Sequence, residues 1–246
     1  MLQQNVVPGI HRVEDAYTNW YLVEDETGIT IVDAGVPTSW GSLIAALREI
    51  GRSTSDLKAL VLTHAHFDHI GFAERARTEL GIPVYVHEAD LPLTKRPMSY
   101  AHERARSRYL LTQIQALPVI LSMLKSRAFW PTPIGESTLY TDGALPVPGE
   151  PRVLPTPGHT FGHCALHFPD RDVVLAGDAI VMRDPYTAEK GPKIGARAAT
   201  ADSARNLASL DAIAETGAGT ILTGHGDPWT GGAAEAVRLA RAAGVS

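Results

Sequence analysis

Short apolar runs separated by polar turns dominate the first part of the chain. Residues 10–13, 21–23 and 29–32 are apolar or alternate between apolar and polar positions. Runs of this kind predict strands, and we expect these three to form the opening antiparallel part of a sheet. Residues 39–50 follow with apolar side chains at helical spacing, which predicts the first helix.

Farther along, the pattern alternates between strands and helices. The apolar run 58–62 predicts a strand, and a helix is predicted over residues 69–80 before a short strand at 84–87. Residues 201–216 and 233–243 are rich in alanine and predict amphipathic surface helices. The second half of the chain therefore repeats the strand-then-helix plan of the first.

A segment of about residues 91–133 differs in character from the stretches on either side of it. Its part from 109 to 130 is rich in Leu, Ile, Met and aromatic residues and is interrupted by Pro118. Because proline lacks a backbone N–H and clashes with the preceding helical turn, we expect two helical pieces here. We interpret the segment as a helical insertion in a single domain that spans residues 1–246.

The most informative motif follows the strand predicted at 58–62. It places three imidazoles and one carboxylate within six residues, His64-Ala65-His66-Phe67-Asp68-His69. Imidazole and carboxylate groups are the usual protein ligands of zinc and related divalent ions. The motif therefore predicts a metal site, and the alternative is a solvated polar loop.

Three further apolar, strand-like runs each end in a residue that can bind a metal. They close on Gly158-His159, Gly177-Asp178 and Gly224-His225. Since groups just past the carboxyl ends of strands in layered α/β folds meet in one crevice, we expect these side chains to join the first cluster. The glycines would let the backbone turn sharply and lie close to the metals. Three ordinary turns are the alternative.

These motifs carry a family resemblance. In chain order, T-H-A-H-F-D-H, P-G-H-T, A-G-D and G-H-G resemble the metallo-β-lactamase superfamily of hydrolases. The resemblance covers nearly the whole chain and implies an α/β fold, a four-layer αββα sandwich with a binuclear metal site between its sheets. It implies that the first metal is held by His64, His66 and His159, the second by Asp68, His69 and His225, and both by a bridging Asp178. Asp33 matches an acidic residue that supports such a site from outside the ligand shell.

The resemblance also implies a reaction. Two Zn²⁺ ions, with iron or manganese as alternatives, would share a bridging hydroxide that cleaves a lactone, ester or thioester. Asp68 would orient this nucleophile and carry a proton to the leaving group. Tyr186 would donate a hydrogen bond to the substrate oxyanion, as a tyrosine near this position does in lactonase members. The alternative for Tyr186 is a packing role.

In lactonase-like members of the superfamily, a segment at the position of residues 91–133 borders the substrate cleft. By resemblance the substrate is a small, partly apolar molecule, and Leu121 and Met123 are predicted to influence its choice. The alternative is that the apolar face of the insertion packs on the sandwich or pairs two subunits. Phe67 is expected to line the cleft floor, with a packing role as the alternative. His163 is expected to hold the metal loop, with a place in a solvated loop as the alternative.

Other reactions stay open at this stage. An iron-dependent dioxygenase of the same fold would use His64, His159 and Asp178 for one metal. Hydrolysis of a β-lactam or a phosphodiester is a further alternative, although Asp178 as a bridging carboxylate resembles the esterase and glyoxalase II side. A non-catalytic binding module is the third. The chain has no G-x-S-x-G motif, which disfavours a serine nucleophile.

Composition limits the partners. The chain of 246 residues is 44% hydrophobic and carries a formal net charge of −5, without a Lys/Arg-rich stripe that would favour nucleic acid. Its N-terminus lacks the basic start and apolar stretch of a signal peptide, and no apolar run is long enough to cross a bilayer. We therefore expect a cytoplasmic protein with a small-molecule substrate, no membrane partner and a possible homodimer. Cys164 is the only cysteine, so no intramolecular disulfide can form.

Overall fold

Two β-sheets and a separate hairpin make up the strands. The computed structural model describes residues 1–245, apart from the side chains at positions 110 and 111. The first sheet has seven strands in sequence order, β1 (Leu2–Val7), β2 (Ile10–Asp15), β3 (Thr18–Asp25), β4 (Gly28–Val32), β5 (Leu57–Val61), β6 (Val84–His87) and β7 (Thr138–Tyr140). Strands β1 to β4 pair antiparallel, and β4 to β7 pair parallel.

The second sheet has five strands with β11 parallel to β14 and the other pairs antiparallel. Its spatial order is β14 (Thr220–Thr223), β11 (Val173–Gly177), β10 (Cys164–Phe168), β9 (Arg152–Pro155) and β8 (Gly143–Ala144). The hairpin consists of β12 (Val181–Arg183) and β13 (Lys190–Lys193).

Helices flank the two sheets, some on their outer faces and others in the segment between β6 and β7. They are α1 (Ser39–Glu49), α2 (Ala73–Arg75) with a π-helical continuation (Ala76–Leu80), α3 (Leu91–Lys95), α4 (Arg106–Thr112), α5 (Leu117–Lys125), α6 (Ser203–Ser209), α7 (Asp211–Ala214) and α8 (Ala233–Ala243). Short 3₁₀ turns occur at Thr54–Asp56, Glu88–Asp90, Ile114–Ala116 and Pro169–Arg171. Across residues 1–245, no helix combines the length and apolarity needed to cross a bilayer.

Alternation along the strands builds the layers. In β3, Tyr21 and Val23 pack into the core between the sheets, whereas Trp20 and Leu22 pack under α1 and α2. Strand β11 likewise sends Val174 to the helical side of the second sheet. Because strand side chains alternate between faces, each sheet is buried on both sides, and the predicted αββα sandwich is confirmed.

The two sheets enclose Cys164, which is 1% exposed and packs in the core between them. Burial raises the pKa of its thiol to about 12. The thiol therefore stays protonated at neutral pH and serves as a small apolar side chain rather than as a nucleophile.

Two predicted helix boundaries are wrong. The helix predicted from residue 69 begins at Ala73, because the N–H groups of Gly71 and Phe72 donate to the carbonyls of Gly35 and Ala34, at 2.8 and 3.2 Å, outside the helix. The helix predicted over 201–216 starts at Ser203 and is divided at Leu210 into α6 and α7. Local backbone contacts overrule the periodicity in both places.

Strand β1 is missing from the prediction. Its sequence is largely polar, and most of its side chains are exposed or half-buried at the edge of the first sheet. An edge strand with exposed polar side chains has little of the apolar alternation from which strands are predicted. Only its pairing with β2 identifies it.

Candidate metal centre

All seven predicted ligands lie just beyond the carboxyl ends of β5, β9, β11 and β14. These ends share one edge of the sandwich, since β11 and β14 are parallel, and β9 and β11 are both antiparallel to β10. Each of the seven residues is at most 5% exposed. We call this group the His–Asp cluster: His64, His66, Asp68, His69, His159, Asp178 and His225.

The cluster divides into two triads. Ligand atoms of His64, His66 and His159 lie within 4.8 Å of one another, and so do those of Asp68, His69 and His225. These are the two sets implied by the family resemblance.

Asp178 lies between the triads. Its Oδ2 is 3.5 Å from the Nε2 of His159 in the first triad. The same oxygen is 3.7 Å from the Nε2 of His69 and 3.2 Å from the Nε2 of His225 in the second. One carboxylate therefore faces both groups.

Unpaired buried atoms indicate what the cluster accommodates. Among the described residues, the Nε2 atoms of His64 and His69 and the Oδ1 of Asp178 are buried without a hydrogen-bond partner. Leaving such atoms unpaired is costly, and native proteins seldom do so without an ion or another partner. Imidazole nitrogens and carboxylate oxygens suit Zn²⁺, iron or manganese. The residues of the cluster therefore fit divalent metal ions.

Partners outside the cluster orient its imidazoles. The Nδ1 of His69 lies 3.0 Å from Asp33 Oδ2, and the Nδ1 of His64 lies 3.0 Å from the Thr63 hydroxyl. Asp33 in turn accepts hydrogen bonds from the Thr63 N–H at 2.8 Å and from the Thr63 hydroxyl. With Nδ1 engaged, each ring turns Nε2 toward the cluster.

His225 is held by the turn between β2 and β3 and by the start of β3. Its Nδ1 lies 2.7 Å from the carbonyl oxygen of Tyr17. The side-chain amide of Asn19 donates to the carbonyls of Thr223 and Gly226, at 2.8 and 2.7 Å, on either side of His225. The first sheet therefore positions a ligand that follows the second sheet.

His163 holds Asp178 from behind, as predicted. Its Nε2 accepts a hydrogen bond from the Asp178 N–H at 3.0 Å, and its Nδ1 lies 2.8 Å from the Thr156 hydroxyl. Burial, with help from the nearby His159, lowers the pKa of His163 to about 3. The ring is therefore neutral, as an acceptor at Nε2 must be.

Gly224 permits the closest backbone approach in the cluster. A Cβ at this position would lie 2.1 Å from Asp178 Oδ1 and 2.7 Å from His69 Cε1. Either distance is far inside van der Waals contact, so any other residue would displace a carboxylate or an imidazole. The glycine before His225 therefore lets the backbone lie against two of the predicted ligands.

The two triads differ in charge. Burial, reinforced by neighbouring imidazoles, lowers the pKa of His64 well below its ordinary value, and burial lowers that of His159 to about 4. Burial also acts to lower the pKa of His69, but Asp178, Asp68 and Asp33 outweigh it and raise that pKa to about 9. The imidazoles of the first triad are thus neutral, whereas the carboxylates around the second triad favour a positive charge there.

Sequence reasoning missed Asp90, which ties the two metal-bearing loops together. This carboxylate is 1% exposed and accepts hydrogen bonds from the Ala65 N–H at 3.0 Å, the Thr160 hydroxyl at 2.7 Å and the Gly162 N–H at 2.8 Å. The residue ends a 3₁₀ turn after β6 and has no motif of its own. Only its contacts identify it as a positioning residue.

Replacing Asp90 with asparagine should lower the free energy of unfolding by about 1–3 kcal/mol, because its amide N–H would face a buried backbone N–H. Urea denaturation monitored by circular dichroism measures this change. Asp142→Asn is the control, since Asp142 is exposed. Equal stability of the Asp90 variant and the wild type would contradict the positioning role.

A cavity of about 310 Å³ opens onto the cluster and is lined mainly by apolar side chains. Phe67 lines it, as predicted, and so does Met123 of α5. The expectation for Leu121 is wrong: its side chain is 56% exposed on the opposite face of α5. Helix α5 therefore forms one cavity wall with the face that carries Val119 and Met123.

Tyr186 also lines the cavity, next to an aromatic residue that sequence reasoning missed. Its hydroxyl lies 3.1 Å from the hydroxyl of Tyr100, whose ring lies 4.2 Å from that of His66. Burial raises the pKa of Tyr186 well above its ordinary value, so its hydroxyl stays protonated at neutral pH. The two tyrosines place a hydrogen-bond donor beside the cluster.

Comparison with known proteins gives one consistent family. Residues 13–225 match the model of the metallo-beta-lactamase superfamily. The chain is 30% identical over 235 residues to the probable metallo-hydrolase YflN of Bacillus subtilis strain 168, a match that covers 91% of this chain and 86% of that protein. It is 32% identical over 162 residues to a hydroxyacylglutathione hydrolase of Cereibacter sphaeroides, covering 65% of this chain and 47% of that protein.

Solved structures agree with this result. The metallo-beta-lactamase family protein TTHA1429 from Thermus thermophilus has a TM-score of 0.71 and 26% identity, covering 97% of this chain and 80% of that one. TTHA1623, solved in a di-iron-bound form, has a TM-score of 0.63 and 27% identity, covering 89% and 92%.

Proposed function

This chain belongs to the metallo-beta-lactamase superfamily, and on that premise we propose that it is a binuclear metal-dependent hydrolase of a lactone, ester or thioester. The observation that carries the proposal is Asp178, a single carboxylate placed between two ligand triads at an apolar cavity. An apolar wall suits a small, partly apolar substrate. The similarity to a hydroxyacylglutathione hydrolase is a second, weaker support.

We propose two zinc ions as the cofactor, with iron or manganese as the alternatives. The first triad and the second triad would each hold one ion, and Asp178 would contact both. When bound, such ions lower the pKa of a water molecule and polarise a carbonyl group. The di-iron form of TTHA1623 is the reason to test iron with equal care.

The chain's own residues would orient the substrate and move the proton. Burial acts to raise the pKa of Asp68, but His69 and His225 outweigh it and lower that pKa, so the carboxylate is ionised and can accept a proton. Tyr186, protonated, can donate a hydrogen bond to the carbonyl oxygen. Hydrolysis breaks the bond between the acyl carbon and the leaving group. It adds the water oxygen to that carbon, and Asp68 would pass a water proton to the leaving oxygen or sulfur.

A substrate panel tests this proposal. Protein loaded in turn with zinc, iron or manganese should be assayed against lactones, carboxylic esters, thioesters, β-lactams and phosphodiesters. We expect the highest kcat/KM for a lactone, ester or thioester with an apolar acyl portion. Preference for a β-lactam or a phosphodiester with every metal would contradict it, and consumption of oxygen with iron alone would favour a dioxygenase.

The wall formed by α5 should set the preference for acyl chain length. Met123→Gln keeps the side-chain length but places an amide in the apolar cavity, and we expect it to lower kcat/KM for long acyl chains relative to acetyl about tenfold. Leu121→Gln is the matched control on the solvent face of the same helix. Metal content should stay the same in both variants. If the Met123 variant kept the same preference among acyl chain lengths, the insertion would support the fold without selecting the substrate.

A further inference from the structure

We propose that Arg106 binds a carboxylate on the substrate, so that the molecule hydrolysed has an apolar body and one anionic end. The inference rests on the proposed function for the reaction but not for the binding site. It starts from the composition of the cavity wall. Among the described residues that line the cavity, Arg106 is the single Lys or Arg.

The guanidinium of Arg106 has few partners of its own. It lies 4.1 Å over the ring of Tyr100, and its Nη2 donates to the Met98 carbonyl at 3.3 Å. Its Nε is buried without a hydrogen-bond partner, and within the described side chains no Asp or Glu forms an ion pair with it. Arg197 on the same side of the molecule, in contrast, is paired with Glu103 at 2.9 Å. Arg106 is half-buried, and an anionic ligand in the cavity would supply the counter-charge that its guanidinium lacks.

Several features favour a carboxylate over a phosphate. The planar guanidinium presents paired N–H donors that match the two oxygens of a carboxylate. One cation balances one negative charge, whereas a phosphate dianion would need a second cation, and the described lining of the cavity contains no other Lys or Arg. Stacking on the ring of Tyr100, 4.1 Å away, holds the guanidinium at the cavity wall.

Tyr100 also sets the length of the substrate. Its ring is 4.1 Å from the Arg106 guanidinium and 4.2 Å from the ring of His66. A single aromatic ring therefore separates the carboxylate site from the His–Asp cluster. A substrate that reaches both carries its carboxylate only a few bonds from the scissile carbonyl.

Matched esters test the assignment. The mono-4-nitrophenyl esters of glutarate, adipate and suberate are compared with neutral esters in which an isopropyl group replaces the terminal carboxylate. We expect the wild type to prefer the charged member of the best-fitting pair. Arg106→Gln should lower the ratio of charged to neutral kcat/KM about 30-fold or more, mainly through KM, and Arg106→Lys should restore part of it. The control is Arg108→Gln, an exposed arginine on the same helix, which should leave the ratio unchanged.

A binding measurement separates this inference from the proposed reaction. Isothermal titration calorimetry of the metal-loaded protein compares the dicarboxylate of best length with the monocarboxylate of equal length. The dicarboxylate should bind about tenfold more tightly to the wild type and to the Arg108 variant, but not to Arg106→Gln. If neither ester is hydrolysed but the wild type still binds the dicarboxylate more tightly than Arg106→Gln does, the proposed reaction is wrong and the carboxylate site is supported. Equal binding of both acids by the wild type, or tighter binding of the matching phosphonate, would overturn the carboxylate site.

Discussion

The substitutions His66→Ala and His225→Ala should each remove one metal ion per chain and lower kcat/KM about a thousandfold or more. This loss corresponds to several kcal/mol of transition-state stabilisation. The two residues belong to different triads, so each variant should keep the ion of the other triad. Elemental analysis by mass spectrometry gives the metal content, and steady-state kinetics on the best substrate of the panel gives the activity.

His167→Ala is the matched control for this experiment. His167 lies on β10, half-buried and outside the His–Asp cluster, so its loss should change neither metal content nor activity. If carefully prepared wild-type protein never exceeded one ion per chain, the binuclear proposal would be wrong. A one-metal reaction using His64, His159 and Asp178 would then be the better hypothesis.

The ligand set could be predicted from the sequence because each ligand lies within a few residues of the end of a strand. His64, His66 and Asp68 follow one strand within a few residues, and a glycine precedes each of the three distant ligands. Each glycine is a visible sign that the backbone approaches something closely, and the position of Gly224 against Asp178 bears this out. Strand ends at one edge of a sandwich then bring the side chains together without further information.

The residues that position these ligands could not be predicted in the same way. Asp90 acts through Ala65, Thr160 and Gly162, which are as far as 72 residues away in sequence. A lone aspartate after a strand is typical of many surface turns, so the sequence does not indicate that Asp90 is buried. Contacts that join distant loops leave no periodic trace in the chain.

The insertion presented a different difficulty. Helix α5 is apolar on both faces: Val119 and Met123 are buried, whereas Leu117, Leu121 and Leu124 are exposed. When apolar residues surround a helix, their periodicity does not identify the inward face. For this reason both Leu121 and Met123 were expected at the cavity, and only Met123 lies there. The same ambiguity hid Tyr100 and Arg106 in a stretch that has no strand or long helix to fix their direction.

Asparagine at Asp178 should weaken the binding of both metal ions, in contrast to the alanine variants of single triads. The side chain keeps its size but loses the charge that faces both triads, where Oδ2 lies 3.5 Å from His159 Nε2 and 3.2 Å from His225 Nε2. Titration against a competing chelator should reveal lower affinity at both steps, and kcat/KM should fall about a thousandfold. Asp142→Asn, an exposed aspartate, should change neither quantity. Loss of only one ion in the Asp178 variant would mean that the carboxylate serves a single metal, and the bridging arrangement that favours ester over β-lactam substrates would lose its support.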